Sequence, residues 1–171
     1  MSSADWSANC LVLGVDPGLS ATGYGLIRCV GARHELVDYG CVTTRAGELG
    51  PRLVALADSL VSLLRKWHPD ESAVEMLYWG RNVSSAMPVA HARGAVILVL
   101  SQMGLTVHEY QPADVKMRLT GNGRADKAQV QRVVAARLGL ATPPRPDHAA
   151  DALAVALAHI QFRPWQLATR P

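Results

Sequence analysis

The sequence has no apolar run long enough to cross a bilayer. Its longest stretches, such as Ala95–Leu100, fall far short of the ~20 residues a membrane helix needs. A secretory signal is also missing: Met1–Asn9 is polar, carries Asp5 and has no basic start leading into an apolar segment. Residues 1–9 are read as a disordered lead-in. Cysteine is scarce. Cys10, Cys29 and Cys41 are odd in number and lack metal-ligand spacing, which argues against a disulfide framework and fits small core residues in a reducing cytoplasm. Charged residues make up only 18% of the chain against 49% apolar, the balance of a globular protein and not of a disordered one. No internal repeat or low-complexity tract is visible, and 171 residues suit one domain, placed at 10–162 with 163–171 as a tail. The nucleophile elbow G-x-S-x-G, the zinc motif H-E-x-x-H and the Walker A loop are all absent.

What is present is unevenly spread. Residues 1–115 hold eight Lys/Arg against eleven Asp/Glu, a net −3. Residues 116–137 hold Lys116, Arg118, Arg124, Lys127, Arg132 and Arg137 against Asp126 alone, a net +5. Such a segment is either a solvated helix face or the footprint of a phosphate-backbone contact.

Leu11–Asp16 is a nearly continuous apolar run, as a central buried strand should be, and Pro17-Gly18 turns the chain. Thr22–Val30 and Glu35–Thr44 are β-rich and closely spaced, predicting an antiparallel meander. Leu53, Leu56, Leu60, Leu63 and Trp67 form the stripe of an amphipathic helix that Pro69 stops. A strand at Ser72–Met76, an apolar helix at Ser84–Met103 and a strand at Leu105–Tyr110 follow. Helical patterns then recur at Ala113–Leu119, Asp126–Leu138 and Asp147–Gln161. This order predicts an α/β fold: a mixed five-stranded sheet with helices on both faces.

Three carboxylates sit where a carboxylate is expensive to bury without a partner. Asp16 ends the first strand, Glu75 lies inside Ala-Val-Glu-Met-Leu, and Asp151 lies inside an alanine- and leucine-rich helix. Each has an ordinary reading: a turn residue before Pro-Gly, a partner for an arginine, and a local cap or ion pair. Basic residues are nearly absent around them, however, and Mg²⁺ or Mn²⁺ would satisfy all three. His148, three residues before Asp151, shares its helix face and is either a helix-start residue or a fourth ligand. Such a cluster suits phosphodiester hydrolysis with two metal ions, roughly 3.5–4 Å apart, flanking the attacking and leaving oxygens.

These residues, in this order, resemble the RuvC-type Holliday junction resolvases, whose fold is ribonuclease-H-like. The resemblance runs from Val12 to His159. It includes Gly14-Val-Asp-Pro-Gly18 with Thr22-Gly-Tyr-Gly25, Ala73-Val-Glu75, Arg81-Asn82 with Ser85-Ala86, and Ala92-Arg-Gly94. It continues through Glu109-Tyr110, Val115-Lys116, Thr120-Gly-Asn-Gly123 with Lys127-Ala-Gln-Val130, and Asp147-His-Ala-Ala-Asp-Ala-Leu-Ala154. The resemblance implies a homodimeric crossover junction endodeoxyribonuclease of recombination and repair. Such an enzyme makes paired nicks in four-way DNA with Mg²⁺ or Mn²⁺, two ions per active site. It also implies a cytoplasmic location and a branch-migration complex as partner.

By that resemblance Asp16, Glu75 and Asp151 take the catalytic carboxylate positions. His148 takes the fourth, as metal ligand or as the group that positions or deprotonates water, with a tilt from Mg²⁺ toward Mn²⁺. Lys116 and Lys127 fall on basic positions near the scissile phosphate, and Arg81, Asn82 and Arg124 are further candidates for DNA contact. Tyr78 is either the family's base-stacking aromatic or a half-buried ring at a strand end, and Trp79 offers the same surface. The helix face at Ala95–Leu100 is either a dimer seam or plain core. The rivals are an ATP-binding fold of the actin and Hsp70 type, for which the chain is too short, a non-catalytic junction-binding module, and a related nuclease acting on hybrids or flaps.

Overall fold

The computed structural model describes residues 9–77 and 83–168, with side chains over 9–77 and 86–163. Strands β1 (Cys10–Asp16), β2 (Ala21–Val30) and β3 (Arg33–Thr43) form the expected antiparallel meander. Helix α1 (Leu49–Trp67) leads to β4 (Glu71–Glu75), and α2 (Val83–Gln102) to β5 (Val107–Tyr110). Helices α3 (Pro112–Thr120), α4 (Lys127–Arg137) and α5 (Asp147–Ala168) complete the described chain. The sheet order is β3-β2-β1-β4-β5, with β4 and β5 joining parallel to β1.

Strand β1 is central and every residue in it is buried, which explains why its run is apolar without alternation. Because successive side chains point to opposite faces, Leu11, Leu13 and Val15 pack on α1 and α2, against Leu56, Leu60, Leu64, Val96 and Leu100. Cys10 and Val12 face the other way, toward α5, α3 and α4, meeting Leu153, Leu157, Val115, Val130 and Val134. Asp16 has the parity of Cys10, Val12 and Gly14, so the strand delivers it to the α5 side.

Helix α5 lies unusually close to the sheet because glycines make room for it. A Cβ on Gly14 would stand 2.0 Å from the Ala152 carbonyl oxygen, and one on Gly23 would stand 1.9 Å from the His148 carbonyl oxygen. Either is far inside van der Waals contact, so main chain meets main chain there. Lower on α5, buried His159 ties the helix to two strands. Its Nδ1 is 2.7 Å from the Tyr110 hydroxyl, and its Nε2 is 2.8 Å from Glu71 Oε2, which also accepts from Arg163 Nε at 3.0 Å.

Several boundaries differ from the sequence reading. Helix α1 ends in His68, whose left-handed backbone (φ 48°) lets its N–H reach the Leu64 carbonyl at 2.9 Å, so the stop precedes Pro69. Asp126 is the cap of α4 and not its first residue, with a reciprocal capping box to Gln129. Strand β5 starts at Val107 instead of Leu105, and α5 continues beyond Gln161 to Ala168. In α2, Val96, Val99 and Leu100 belong to the core while Leu98 is exposed. Cys10 and Cys29 are buried, Cys41 is half-buried, and all three are free thiols.

Candidate active site

The sheet register brings the first two acids together. Val15 pairs with Val74, so Asp16 and Glu75, the next residues of parallel neighbours, end side by side on the α5 face. The first turn of α5 then presents His148 and Asp151 from above, three residues apart on one helix face. The glycine seam sets the height of that turn, since Gly23 abuts His148 itself.

Asp16 is buried, and its Oδ2 lies 2.7 Å from His148 Nδ1. With Asp16 ionised, Nδ1–H donates, and the neutral imidazole keeps its lone pair on Nε2. Glu75 is hydrogen-bonded to Asp16 as well. Burial above all, then the charges of Asp16 and Asp151, push the Glu75 carboxyl up to about 8, against a smaller opposing pull from Lys127. Asp16 is also held above the ordinary carboxylate range, chiefly by burial, although His148 works against the rise. At neutral pH the pair therefore holds a proton, with Glu75 donating to Asp16.

Asp151 has a partner the local sequence does not reveal. Lys127 Nζ, from the first turn of α4, sits 2.9 Å from Asp151 Oδ2 and 3.4 Å from Asp147 Oδ2. The scarcity of basic residues in the segments around these acids does not leave Asp151 unpaired, because Lys127 is distant in sequence and adjacent in space. A lysine at a helix N-terminus faces the positive end of the dipole, so the two carboxylates are what hold it there. Asp147 reads in the sequence as an ordinary helix-start residue, and its part in this site is visible only in the fold. Its Oδ1 accepts from Gln131 Nε2 at 3.2 Å and pairs with Arg145.

Beside the acids opens a cleft of about 190 Å³ lined by Glu75, Pro112, Val115, Lys116, Lys127, Val130, Asp151 and Ala154. Both predicted lysines thus line the same space as two of the acids. Arg124 lies exposed in the turn ahead of α4, where its backbone N–H reaches Asn122 Oδ1 at 3.0 Å, and it is not part of the lining. Tyr78, Arg81 and Asn82, with Trp79, lie outside the described residues. Among the described residues no three acid, histidine or cysteine side chains close on one point as a ready-made ion cage. Asp16 is engaged by His148 and Glu75, and Asp151 by Lys127.

Comparison with known proteins gives this arrangement its setting. The family model described as crossover junction endodeoxyribonuclease RuvC matches residues 12–159. A protein of that description from Chloroflexus aurantiacus is 46% identical over 153 residues, covering 89% of this chain and 93% of its own. One from Treponema denticola is 47% identical over 152 residues, covering 88% and 85%. The solved structure of T. thermophilus RuvC in complex with Holliday junction substrate matches with a TM-score of 0.86 at 33% identity, covering 92% of this chain and 96% of that one. With its mixed five-stranded sheet, flanking helices and clustered acids, this chain belongs to the RuvC family of crossover junction endodeoxyribonucleases and has their ribonuclease-H-like fold.

Proposed function

We propose that this chain is a structure-selective DNA endonuclease that resolves four-way junctions by paired phosphodiester hydrolysis, with a single nuclease domain over residues 10–162. The observation that carries the reading is the meeting of Asp16, Glu75, His148 and Asp151 at one end of the sheet, beside a cleft lined by Lys116 and Lys127.

The donor set fits Mg²⁺ or Mn²⁺, since three carboxylates supply hard oxygen and His148 Nε2 supplies one softer nitrogen. Asp16, Glu75, Asp151 and His148 would hold two ions, whose chemistry is to stabilise charge on the attacking and leaving oxygens of the phosphodiester. The chain's own residues do the rest. Lys116 and Lys127 attract and orient the phosphate, and burial of Asp16 and Glu75 keeps bulk water from screening the site. With the His148 Nδ1–H committed to Asp16, Nε2 has one lone pair, which either ligates an ion or, in the alternative role, accepts a proton from water.

A homodimer placing two such sites on one junction accounts for paired nicks, and exposed Leu98 on α2 offers apolar surface for it. The reading extends to a cytoplasmic location and to a branch-migration complex as partner.

The test is incubation of a labelled mobile four-way junction and a matched linear duplex with the protein, in Mg²⁺ or Mn²⁺. Paired nicks confined to the junction are expected, and Asp16→Asn should abolish them while junction binding persists. Equal cutting of both substrates would keep the nuclease and discard the resolvase. Tight junction binding without cutting of either would leave a binding module.

A further inference from the structure

Helices α4 and α5 face each other with matched pairs. Lys127 and Gln131 stand four residues apart on α4, and Asp147 and Asp151 four apart on α5, so each pair shares one face of its helix. The amine reaches both acids, at 2.9 Å to Asp151 and 3.4 Å to Asp147. The two acids are not equivalent. Asp151 belongs to the acid cluster over the sheet, whereas Asp147 is fixed from behind. The Asp147 Oδ1 is held by Gln131, itself buried, and by Arg145, which leaves Oδ2 turned toward Lys127. With two donors on Oδ1, Oδ2 is left to serve as the seat for a third.

We propose that Asp147 is a positioning residue for Lys127, the seat onto which the amine moves when Asp151 is claimed by a cation. The amine lies on Asp151 Oδ2, one of the two oxygens through which Asp151 would take an ion. Without Asp147, an amine released by Asp151 would have no carboxylate to hold it against the repulsion of the helix N-terminus, and it would swing out into solvent. With Asp147, the move is less than the length of a hydrogen bond, and the amine stays at the mouth of the cleft where a phosphate would meet it. This rests on the proposed nuclease reading only for the phosphate; the exchange between two carboxylates concerns the protein and a cation alone.

The test is Mn²⁺ titration of the full-length, DNA-free protein, with free Mn²⁺ counted by electron paramagnetic resonance. Asp147→Asn, Lys127→Ala and the double variant are compared with the wild type. Asp147→Asn should weaken Mn²⁺ binding by roughly two- to fivefold, the range of a half-exposed ion pair. Lys127→Ala should bind at least as tightly as the wild type, and the double variant should match Lys127→Ala. Asp147→Glu should restore most of the loss. If Asp147→Asn melts early, Asp147→Ser, which suits a helix start, is read in the same way.

Unchanged Mn²⁺ binding in Asp147→Asn would overturn the proposal. So would an equal loss with and without Lys127, which would make Asp147 a plain source of negative charge. A wild type that binds no Mn²⁺ would overturn it too. A wild type that binds Mn²⁺ yet cuts no junction would remove the proposed function and leave this inference to stand or fall on the titration.

Discussion

Removing the Glu75 carboxylate should stabilise the cation-free protein at alkaline pH and leave it unchanged in acid. The folded chain holds the Glu75 proton up to about 8, whereas the unfolded chain releases it near the ordinary value of 4.5. Between those values the folded state binds more protons than the unfolded state, so stability falls as pH rises and then levels off above about 8. Each pH unit across that window costs about 1.4 kcal/mol, which sets a ceiling of about 5 kcal/mol at pH 8.5. The proton is shared with Asp16, whose own rise acts in the same direction, so the effect of one substitution is smaller, roughly 2–4 kcal/mol.

Glu75→Gln keeps an amide N–H to donate to Asp16 and removes the charge. Urea denaturation in chelator, from pH 4.5 to 8.5, should show the wild type losing stability where the variant stays nearly flat. At pH 8.5 the variant's melting temperature should be higher by roughly 5–12 °C. At pH 4.5 the two should coincide. Parallel pH profiles would mean that Glu75 ionises as a glutamate in water does, and the account of a proton held between Glu75 and Asp16 would be wrong.

Gly23→Ala should lower junction cleavage on the order of a hundredfold with a smaller loss of stability, because the His148 carbonyl must retreat by at least about 1 Å to clear the new Cβ; single-turnover rates near those of the wild type would show that α5 has slack. Lys127→Ala should weaken junction binding and flatten its salt dependence by about 0.9, the slope that one neutralised phosphate contributes; an unchanged slope in a titration from low to high salt would remove Lys127 from the DNA interface. His148→Asp should move the ratio of cleavage rates toward Mg²⁺, since oxygen replaces the imidazole nitrogen; equal ratios in parallel assays with the two ions would remove His148 from the ligand set.

The parts of the fold that are legible in the sequence are those written in local pattern. The continuous apolar run of β1, the leucine stripe of α1 and the turn at Pro17-Gly18 each state their own environment. Asp16, Glu75 and Asp151 stand out because each interrupts an apolar segment, and the fold does bring them together with His148. What the sequence hides is pairing across distance. Nothing near Asp151 announces Lys127, and Asp147 looks like any acid at a helix start until Gln131 and Arg145 are seen to hold it. The glycines are visible as letters of a motif, while the reason for them needs α5 in place. Only when Gly14 and Gly23 are set against the α5 main chain at Ala152 and His148, and Gly25 against the Leu153 side chain, does the closeness of that helix follow. The β5 start is set by where its pairing with β4 begins, Ser72 opposite Val107, and α5 runs on through Pro164, which a sequence reading takes as a stop.

The seam between α5 and the sheet has a consequence for how the two halves of the core tolerate change. On the α1–α2 side, elements are spaced by leucines and valines, whose rotamers adjust, so conservative swaps there shift volumes without moving the acids. On the α5 side the spacing at Gly14 and Gly23 is a backbone dimension, with no side chain available to give way. Random mutagenesis should therefore find an asymmetric molecule. One layer would accept many apolar combinations, and the other would be nearly invariant at its smallest residues, although none of those residues touches a reacting atom.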